Sequence, residues 1–119
     1  MRNNQKIDTV PPYLLSIFRP SVQPYILSWM LHDPCAEIKK LTVPILILQG
    51  TTDIQVEVKQ AEMLKTCKPK ATLKIIAGMN HILKEAPIDR TKNIATYSDG
   101  TLPIMPGLVD LIAAFVNKK

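Results

Sequence analysis

Residues 43–50, which read VPILILQG, decide the fold of this chain. Aliphatic and β-branched side chains follow one another without the alternation of a half-exposed strand, and the run closes on a glycine. This pattern predicts a parallel strand, at about 43–49, that is covered by helices on both sides. Pro44 stands near the start of the strand, where a missing N–H is tolerated.

Three more elements continue from this strand. Residues 57–66 place apolar side chains on one side and charges on the other, which predicts a surface helix. Residues 73–78 predict a second strand, and residues 106–117 predict a closing helix followed by two lysines. The order strand, helix, strand, helix is typical of a βαβα unit of the α/β class, with parallel strands joined by a right-handed crossover.

The segments around this unit have a different character. Prolines divide residues 1–42 into short segments, and the apolar spacing of these segments predicts helices. Residues 85–105 show no convincing periodicity and are predicted to form a long loop. Such a loop is rare in a compact domain unless it is functional or packs as an irregular excursion.

The composition argues against several classes of function. The chain has 15 basic and 10 acidic residues and a net charge of +5, but the basic residues are scattered and aromatic residues make up only 5%. Stacking surfaces for bases are missing, so we predict no nucleic-acid partner. The longest apolar run is far shorter than the ~20 residues that span a bilayer. We therefore predict no membrane span, and no cofactor motif stands out.

The cysteines and the first residues give little sign of metal binding or export. Cys35 and Cys67 form no Cys-x-x-Cys motif, and His32 near Cys35 lacks the second ligand pair of a zinc site. We interpret both cysteines as packing thiols, with a disulfide as the alternative. Residues 1–6 contain no apolar segment of a signal peptide, so a cytoplasmic location is expected if the chain is complete.

Two titratable residues follow the predicted strands at the same distance from a glycine. Asp53 stands three residues after Gly50, and His81 three residues after Gly78. Catalytic groups collect at the carboxyl ends of parallel strands, so these two side chains are expected to meet. An aspartate can fix the tautomer of a histidine that acts as a general base. Taken singly, Asp53 also suits a helix cap, and His81 an ordinary loop position.

The two strand ends carry a family resemblance. Residues 43–56, VPILILQGTTDIQV, resemble the acid-bearing strand and loop of an α/β-hydrolase-fold serine hydrolase. Residues 71–81, ATLKIIAGMNH, resemble the last strand and histidine loop of the same family. In those enzymes Ser, then Asp or Glu, then His follow one another along the chain. The resemblance implies that Asp53 orients the imidazole and that His81 is the general base.

The resemblance also implies a division of the chain. Residues 1–42 are expected to be a cap- or lid-like helical segment, with Tyr25, Ile26 and Trp29 facing an acyl pocket; ordinary packing over the sheet edge is the alternative. Residues 43–119 are expected to be the C-terminal βαβα part of an α/β-hydrolase domain.

The nucleophile of that family is missing from the sequence. A nucleophile elbow reads Gly-x-Ser-x-Gly, and none of the four serines stands in such a motif. The expected function is therefore that of a C-terminal fragment of an esterase- or lipase-like serine hydrolase, which supplies the acid and the base and is inactive alone. The parent would take a small-molecule carboxylic ester, and the isolated chain would self-associate. The alternative is a non-catalytic α/β module that acts by binding or assembly.

Overall fold

A computed structural model of the chain describes residues 6–118. The chain divides into two compact units, Met1–Lys40 and Leu41–Lys119. The described part of the first unit is helical, and the second unit holds the two strands. Because Asp53 and His81 both belong to the second unit, the geometry of the candidate site is defined within that unit alone.

Short helices, most of them with a proline in their first turn, make up the described part of the first unit. A 3₁₀ turn, Pro12–Leu14, leads into α1 (Leu15–Phe18). Helix α2 spans Gln23–Trp29 and helix α3 spans Pro34–Lys40. A proline in the first turn of a helix costs no hydrogen bond, because the N–H groups there have no partner within the helix. The helices predicted within residues 1–42 are confirmed.

A buried glutamine and an apolar cavity characterise this first unit. Gln23 is fully buried; its amide donates to the carbonyl of Phe18 at 2.9 Å, and it exchanges two hydrogen bonds with the backbone of Ile7. Apolar side chains line a cavity of about 490 Å³, and Ile26 is one of them. Tyr25 and Trp29 are exposed, with ring centroids 4.5 Å apart.

Two parallel strands form the centre of the second unit. β1 (Leu46–Gly50) and β2 (Thr72–Ile76) pair in register from their first residues to their last, and α4 (Val58–Cys67) connects them and packs on both. Helices α5 (Arg90–Ala95) and α6 (Leu108–Val116) follow. The parallel pair and its connecting helix confirm the predicted α/β class in its coarse sense. Helix α5 lies where the sequence predicted only a loop.

Both strands differ from their predicted bounds. β1 begins at Leu46 rather than at residue 43, because β2 begins at Thr72, the partner of Leu46, and offers no earlier residue for pairing. β2 ends at Ile76 rather than at residue 78, because the chain turns at Gly78, whose φ of +73° is readily adopted only by glycine. Helices α4 and α6 lie within two residues of their predicted bounds.

The sheet is covered less completely than the sequence indicated. Ile47 and Gln49 of β1 are buried, whereas Leu46 and Leu48 on the other face are only half-buried. Ile75 of β2 is exposed. Helix α4 packs on both strands, and the half-buried Leu46 and Leu48 show that the sheet of the described chain is not completely covered on both faces.

We expect the isolated chain to self-associate. Within residues 6–118 no third strand pairs with the outer edge of β1 or β2, and Val109 and Val116 of α6 are exposed. Unpaired strand edges favour pairing with another chain. Sedimentation velocity at tens of micromolar, roughly the range of a modest association, is expected to show dimers or larger species. A folded monomer at every concentration tested would contradict this expectation.

Candidate active site

Two loops bring Asp53 and His81 together at the carboxyl ends of the strands. We call residues 51–57, between β1 and α4, the Asp53 loop, and residues 77–86, after β2, the His81 loop. His81 Nδ1 lies 3.0 Å from Asp53 Oδ2, which is a hydrogen-bonding distance. The predicted contact between the two side chains is confirmed, and its catalytic use stays a prediction.

Hydrogen bonds to the backbone of the His81 loop hold these two loops against each other. Thr51 Oγ1 accepts a hydrogen bond from the Gly78 N–H at 2.9 Å, and the Thr52 N–H donates to the Met79 carbonyl at 3.2 Å. Gly50 permits this close approach, because a Cβ at that position would lie 1.8 Å from the Met79 carbonyl oxygen. The glycine that closes β1 is therefore required by the backbone of the neighbouring loop.

Hydrogen-bond donors surround the carboxylate of Asp53, whose side chain is only 6% exposed. Oδ1 accepts from the N–H groups of Gln55 at 2.8 Å and Val56 at 3.0 Å, and Oδ2 accepts from Gln49 Nε2 at 3.0 Å. Burial by itself would raise the pKa of Asp53. The bonds from the two N–H groups, His81 and Gln49 outweigh burial and hold the pKa below its ordinary value. Asp53 is therefore a carboxylate at neutral pH.

The two oxygens of Asp53 have different roles. Oδ1 caps a turn, because it accepts from the backbone two and three residues further along the chain. Helix α4 starts later, with Glu57 at its N-cap, so Asp53 is not a helix cap. The turn fixes the carboxylate in an orientation that leaves Oδ2 to face the ring of His81.

Gln49 is a site residue that the sequence analysis missed. It lies in β1, is buried, and donates from Nε2 to the Val56 carbonyl at 2.9 Å as well as to Asp53. An amide donor beside the carboxylate stabilises the ionised form at every pH, since the amide does not titrate. The signal in the sequence was a glutamine within an otherwise apolar run, because a buried amide needs hydrogen-bond partners.

The two ring nitrogens of His81 differ: Nδ1 is hydrogen-bonded to Asp53, and Nε2 is left for another partner. Its side chain is 41% exposed, so the ring is open to solvent and to a reacting group. Because Asp53 Oδ2 accepts a hydrogen bond, Nδ1 carries the proton of the neutral ring and Nε2 carries the lone pair. A carboxylate behind Nδ1 and a lone pair on Nε2 are what a general base in acyl transfer requires.

A cavity of about 170 Å³ adjoins the pair. Its lining combines Asp53 and His81 with apolar side chains, among them Leu48 and Leu83. Leu83 has a φ of +62°, a conformation that is uncommon for residues other than glycine. Among residues 41–118, no serine or cysteine belongs to this lining. The second unit therefore offers an acid and a base to this cavity, but no nucleophile.

The cysteines do not take part in this chemistry. Cys35 and Cys67 are both disulfide-bonded, so their interpretation as packing thiols is wrong. The sequence alone could not decide this, because a disulfide depends on the separation of two residues in space. Across residues 6–118, no three His, Cys, Asp or Glu side chains gather into a group suited to a metal ion. The helices of the same residues are too short or too polar for any of them to span a bilayer.

Two comparisons of the sequence with known proteins gave no match. No protein-family model matches the chain, and no curated protein matches it significantly. The functional interpretation therefore depends on the contacts of Asp53 and His81.

Proposed function

We propose that the chain supplies the acid and the general base of a serine hydrolase with an α/β-hydrolase fold, and that the hydrolase acts on carboxylic esters. Asp53 is the acid and His81 is the base. The observation that carries the proposal is the 3.0 Å contact between Asp53 Oδ2 and His81 Nδ1 at the carboxyl ends of two adjacent parallel strands. The order acid, helix, base along the chain is the order of that family.

The two nitrogens of the His81 ring have different roles in the proposed mechanism. Nε2 accepts the proton of a serine hydroxyl while the serine oxygen forms a bond to the ester carbonyl carbon, and the carbonyl π electrons move onto oxygen. Asp53 stabilises the resulting imidazolium through Nδ1 and does not itself take the proton. The imidazolium then protonates the leaving alkoxide as the carbon–oxygen bond breaks. Water, activated by the same Nε2, hydrolyses the acyl-enzyme.

The proposed mechanism needs two groups that the 119 residues do not supply. They are the nucleophilic serine of a Gly-x-Ser-x-Gly turn and the N–H groups of the oxyanion hole. Both would belong to a longer protein that contains this chain, with residues 1–42 as its cap-like segment. The unpaired strand edges among residues 6–118 support this proposal, since the remaining strands of such a domain would pair along an edge of the sheet.

A non-catalytic α/β module that acts by binding or assembly is the alternative. The exposed valines of α6, Val109 and Val116, favour it, because exposed apolar side chains on one helix suit a partner. A binding module, however, has no need of a carboxylate that is buried, ionised and aligned with one nitrogen of a histidine. The geometry of Asp53 and His81 therefore favours the hydrolase.

An activated-ester assay on two proteins tests the proposal. The longer protein is expected to hydrolyse p-nitrophenyl acetate with a burst and to carry one serine, in a Gly-x-Ser-x-Gly motif, that a fluorophosphonate labels. The 119-residue chain alone is expected to give no burst, because no acyl-enzyme forms without the nucleophile. Its Asp–His pair can act only as a general base on water, a contribution of about 10²–10⁴-fold at best.

Two results would contradict the proposal. A burst from the 119-residue chain that disappears when one of its own four serines is replaced would identify a complete enzyme. A longer protein that neither hydrolyses esters nor reacts with the fluorophosphonate would favour the binding module.

A further inference from the structure

We propose that Asn93 of α5 is a positioning residue that holds the Asp53 loop and the His81 loop in register with each other. The inference rests on the proposed function of the Asp53–His81 pair. It concerns the segment that the sequence predicted as a loop, residues 85–105, in which α5 is the one helix that the structure describes. In the described chain Asn93 makes no hydrogen bond to Asp53 or His81; it acts through the residues that precede them.

Asn93 anchors the Asp53 loop. Its side chain is fully buried, and its amide nitrogen donates to the Thr52 carbonyl at 2.7 Å and to the Pro87 carbonyl at 2.9 Å. Both hydrogens of the amide are therefore used. Because Thr52 directly precedes Asp53, the first of these bonds fixes the main chain from which the carboxylate projects.

The His81 loop joins the same network through Asn80. This residue is buried, directly precedes His81, and donates from Nδ2 to Thr96 Oγ1 at 2.8 Å. Thr96 Oγ1 in turn donates to the Asn93 carbonyl at 2.7 Å. Asn80 Oδ1 accepts from the Lys84 N–H at 3.0 Å, which closes the loop around His81. The residues before Asp53 and before His81 are thus both tied to Asn93.

The burial pattern of α5 indicates that this hydrogen-bond network stabilises the helix. Asn93 and Thr96 are buried, whereas Ile88 and Ile94 in the same segment are exposed. An ordinary surface helix buries its isoleucines and exposes its amides. Buried amides cost stability unless their hydrogen bonds are made, so a segment of this kind is held together by its polar contacts.

Asp89 starts α5, which is a short helix of six residues. Its Oδ1 accepts from the Lys92 N–H at 2.9 Å, which is an N-cap bond. A helix of this length is not stable in water by itself. The bonds of Asn93 to the Thr52 and Pro87 carbonyls therefore stabilise α5, and α5 in turn fixes the position of these carbonyls. Removing the amide is expected to release the Asp53 loop from α5, whereas the His81 loop loses only the long contact of Asn80 Nδ2 with Asn93 Oδ1 at 3.5 Å and keeps the bond of Thr96 to the Asn93 carbonyl.

The test measures which ring nitrogen of His81 carries the proton. In the 119-residue chain with ¹⁵N-labelled histidine, a two-bond ¹H–¹⁵N correlation spectrum separates the two tautomers, and His32 serves as an internal reference. The Nδ1-protonated form of His81 is expected to dominate in the wild type. Its fraction is expected to fall in Asn93→Ala, in the direction that Asp53→Asn produces, because the carboxylate no longer faces Nδ1.

Thr91→Ala is the matched control, since Thr91 is an exposed residue of the same helix. It is expected to leave the tautomer fraction of His81 unchanged. Alanine is a better helix former than asparagine, so a loss in Asn93→Ala does not come from a weaker helix. If circular dichroism shows Asn93→Ala to be unfolded, Thr96→Val is the second variant; it keeps the volume, removes one hydroxyl of the network, and is expected to give the same change to a smaller degree.

In the longer protein, Asn93→Ala is expected to lower kcat by about 10²-fold with little change in KM, the effect of a displacement of about 1 Å in a catalytic group. A folded Asn93→Ala or Thr96→Val with an unchanged tautomer fraction, while Asp53→Asn shifts it, would overturn the role of Asn93 and leave the proposed function standing. Ester hydrolysis that survives Asp53→Asn in the longer protein would instead overturn the proposed function.

Discussion

Replacing His81 by alanine is expected to lower kcat of the proposed intact hydrolase by about 10⁶-fold, and replacing Asp53 by asparagine is expected to lower it by about 10⁴-fold. In the proposed mechanism His81 takes the serine proton as the general base and returns it to the leaving group as the imidazolium, so its loss removes both proton transfers. Asparagine keeps the shape of Asp53 but can present an N–H to Nδ1, which favours the tautomer with the proton on Nε2. Steady-state rates with an activated ester measure both effects.

His32→Ala is the matched control for this prediction. His32 is the other histidine of the chain; its side chain is 67% exposed, and its nearest ionic partner is Glu37 at 3.8 Å. Its replacement is expected to leave kcat unchanged. In the double variant, Asp53→Asn is expected to add little to the loss in His81→Ala, because the two residues act as a unit. An intact protein that keeps its activity in His81→Ala would show that the base lies elsewhere.

The position of this pair could be predicted from the sequence because several signals agreed. An apolar run that ends in a glycine predicts a buried strand, and a second such run with a helix between them predicts a parallel partner. Parallel strands present their carboxyl ends at one edge, so Asp53 and His81 had to lie near each other. The register of β1 and β2, by contrast, depends on where each strand finds a partner, and the bounds of both strands were therefore less well predicted.

Helix α5 could not be predicted because its polarity is reversed. Periodicity identifies helices by a buried apolar stripe, and here the buried positions are Asn93 and Thr96 while Ile94 is exposed. The remaining signal was an N-cap, Asp89, three residues before Lys92. A cap without an apolar stripe is common in loops, so it did not favour a helix over the loop that was predicted.

The supporting residues of the site were missed for a related reason. Gln49 and Asn93 act through hydrogen bonds to residues that are 4 and 41 positions away along the chain. The pattern of hydrophobic residues in a sequence does not show which distant residues will be hydrogen-bond partners. The general rule that a buried amide needs a partner identifies the residue type, but only the fold shows which carbonyl or carboxylate the amide reaches.

Gly50→Ala is expected to destabilise the second unit by at least about 3 kcal/mol, beyond the usual cost of overpacking. The added Cβ would lie 1.8 Å from the carbonyl oxygen and 2.5 Å from the carbonyl carbon of Met79. Neither atom belongs to a flexible side chain, and the same carbonyl accepts a hydrogen bond from the Thr52 N–H. Relief of the clash therefore requires the two loops to separate. Urea unfolding followed by circular dichroism measures the loss.

Alanine variants of two other glycines distinguish the effect of a steric clash from the effect of backbone strain. Gly100 has open space around it and no positive φ, so Gly100→Ala is expected to change the free energy of unfolding by less than about 0.5 kcal/mol. Gly78 also has open space but a φ of +73°, so Gly78→Ala is expected to cost about 1–2 kcal/mol from backbone strain alone. A Gly50→Ala protein as stable as Gly78→Ala would contradict the close approach of β1 to the Met79 carbonyl. The contact between Asp53 and His81 depends on that approach, because it brings the Asp53 loop against the His81 loop.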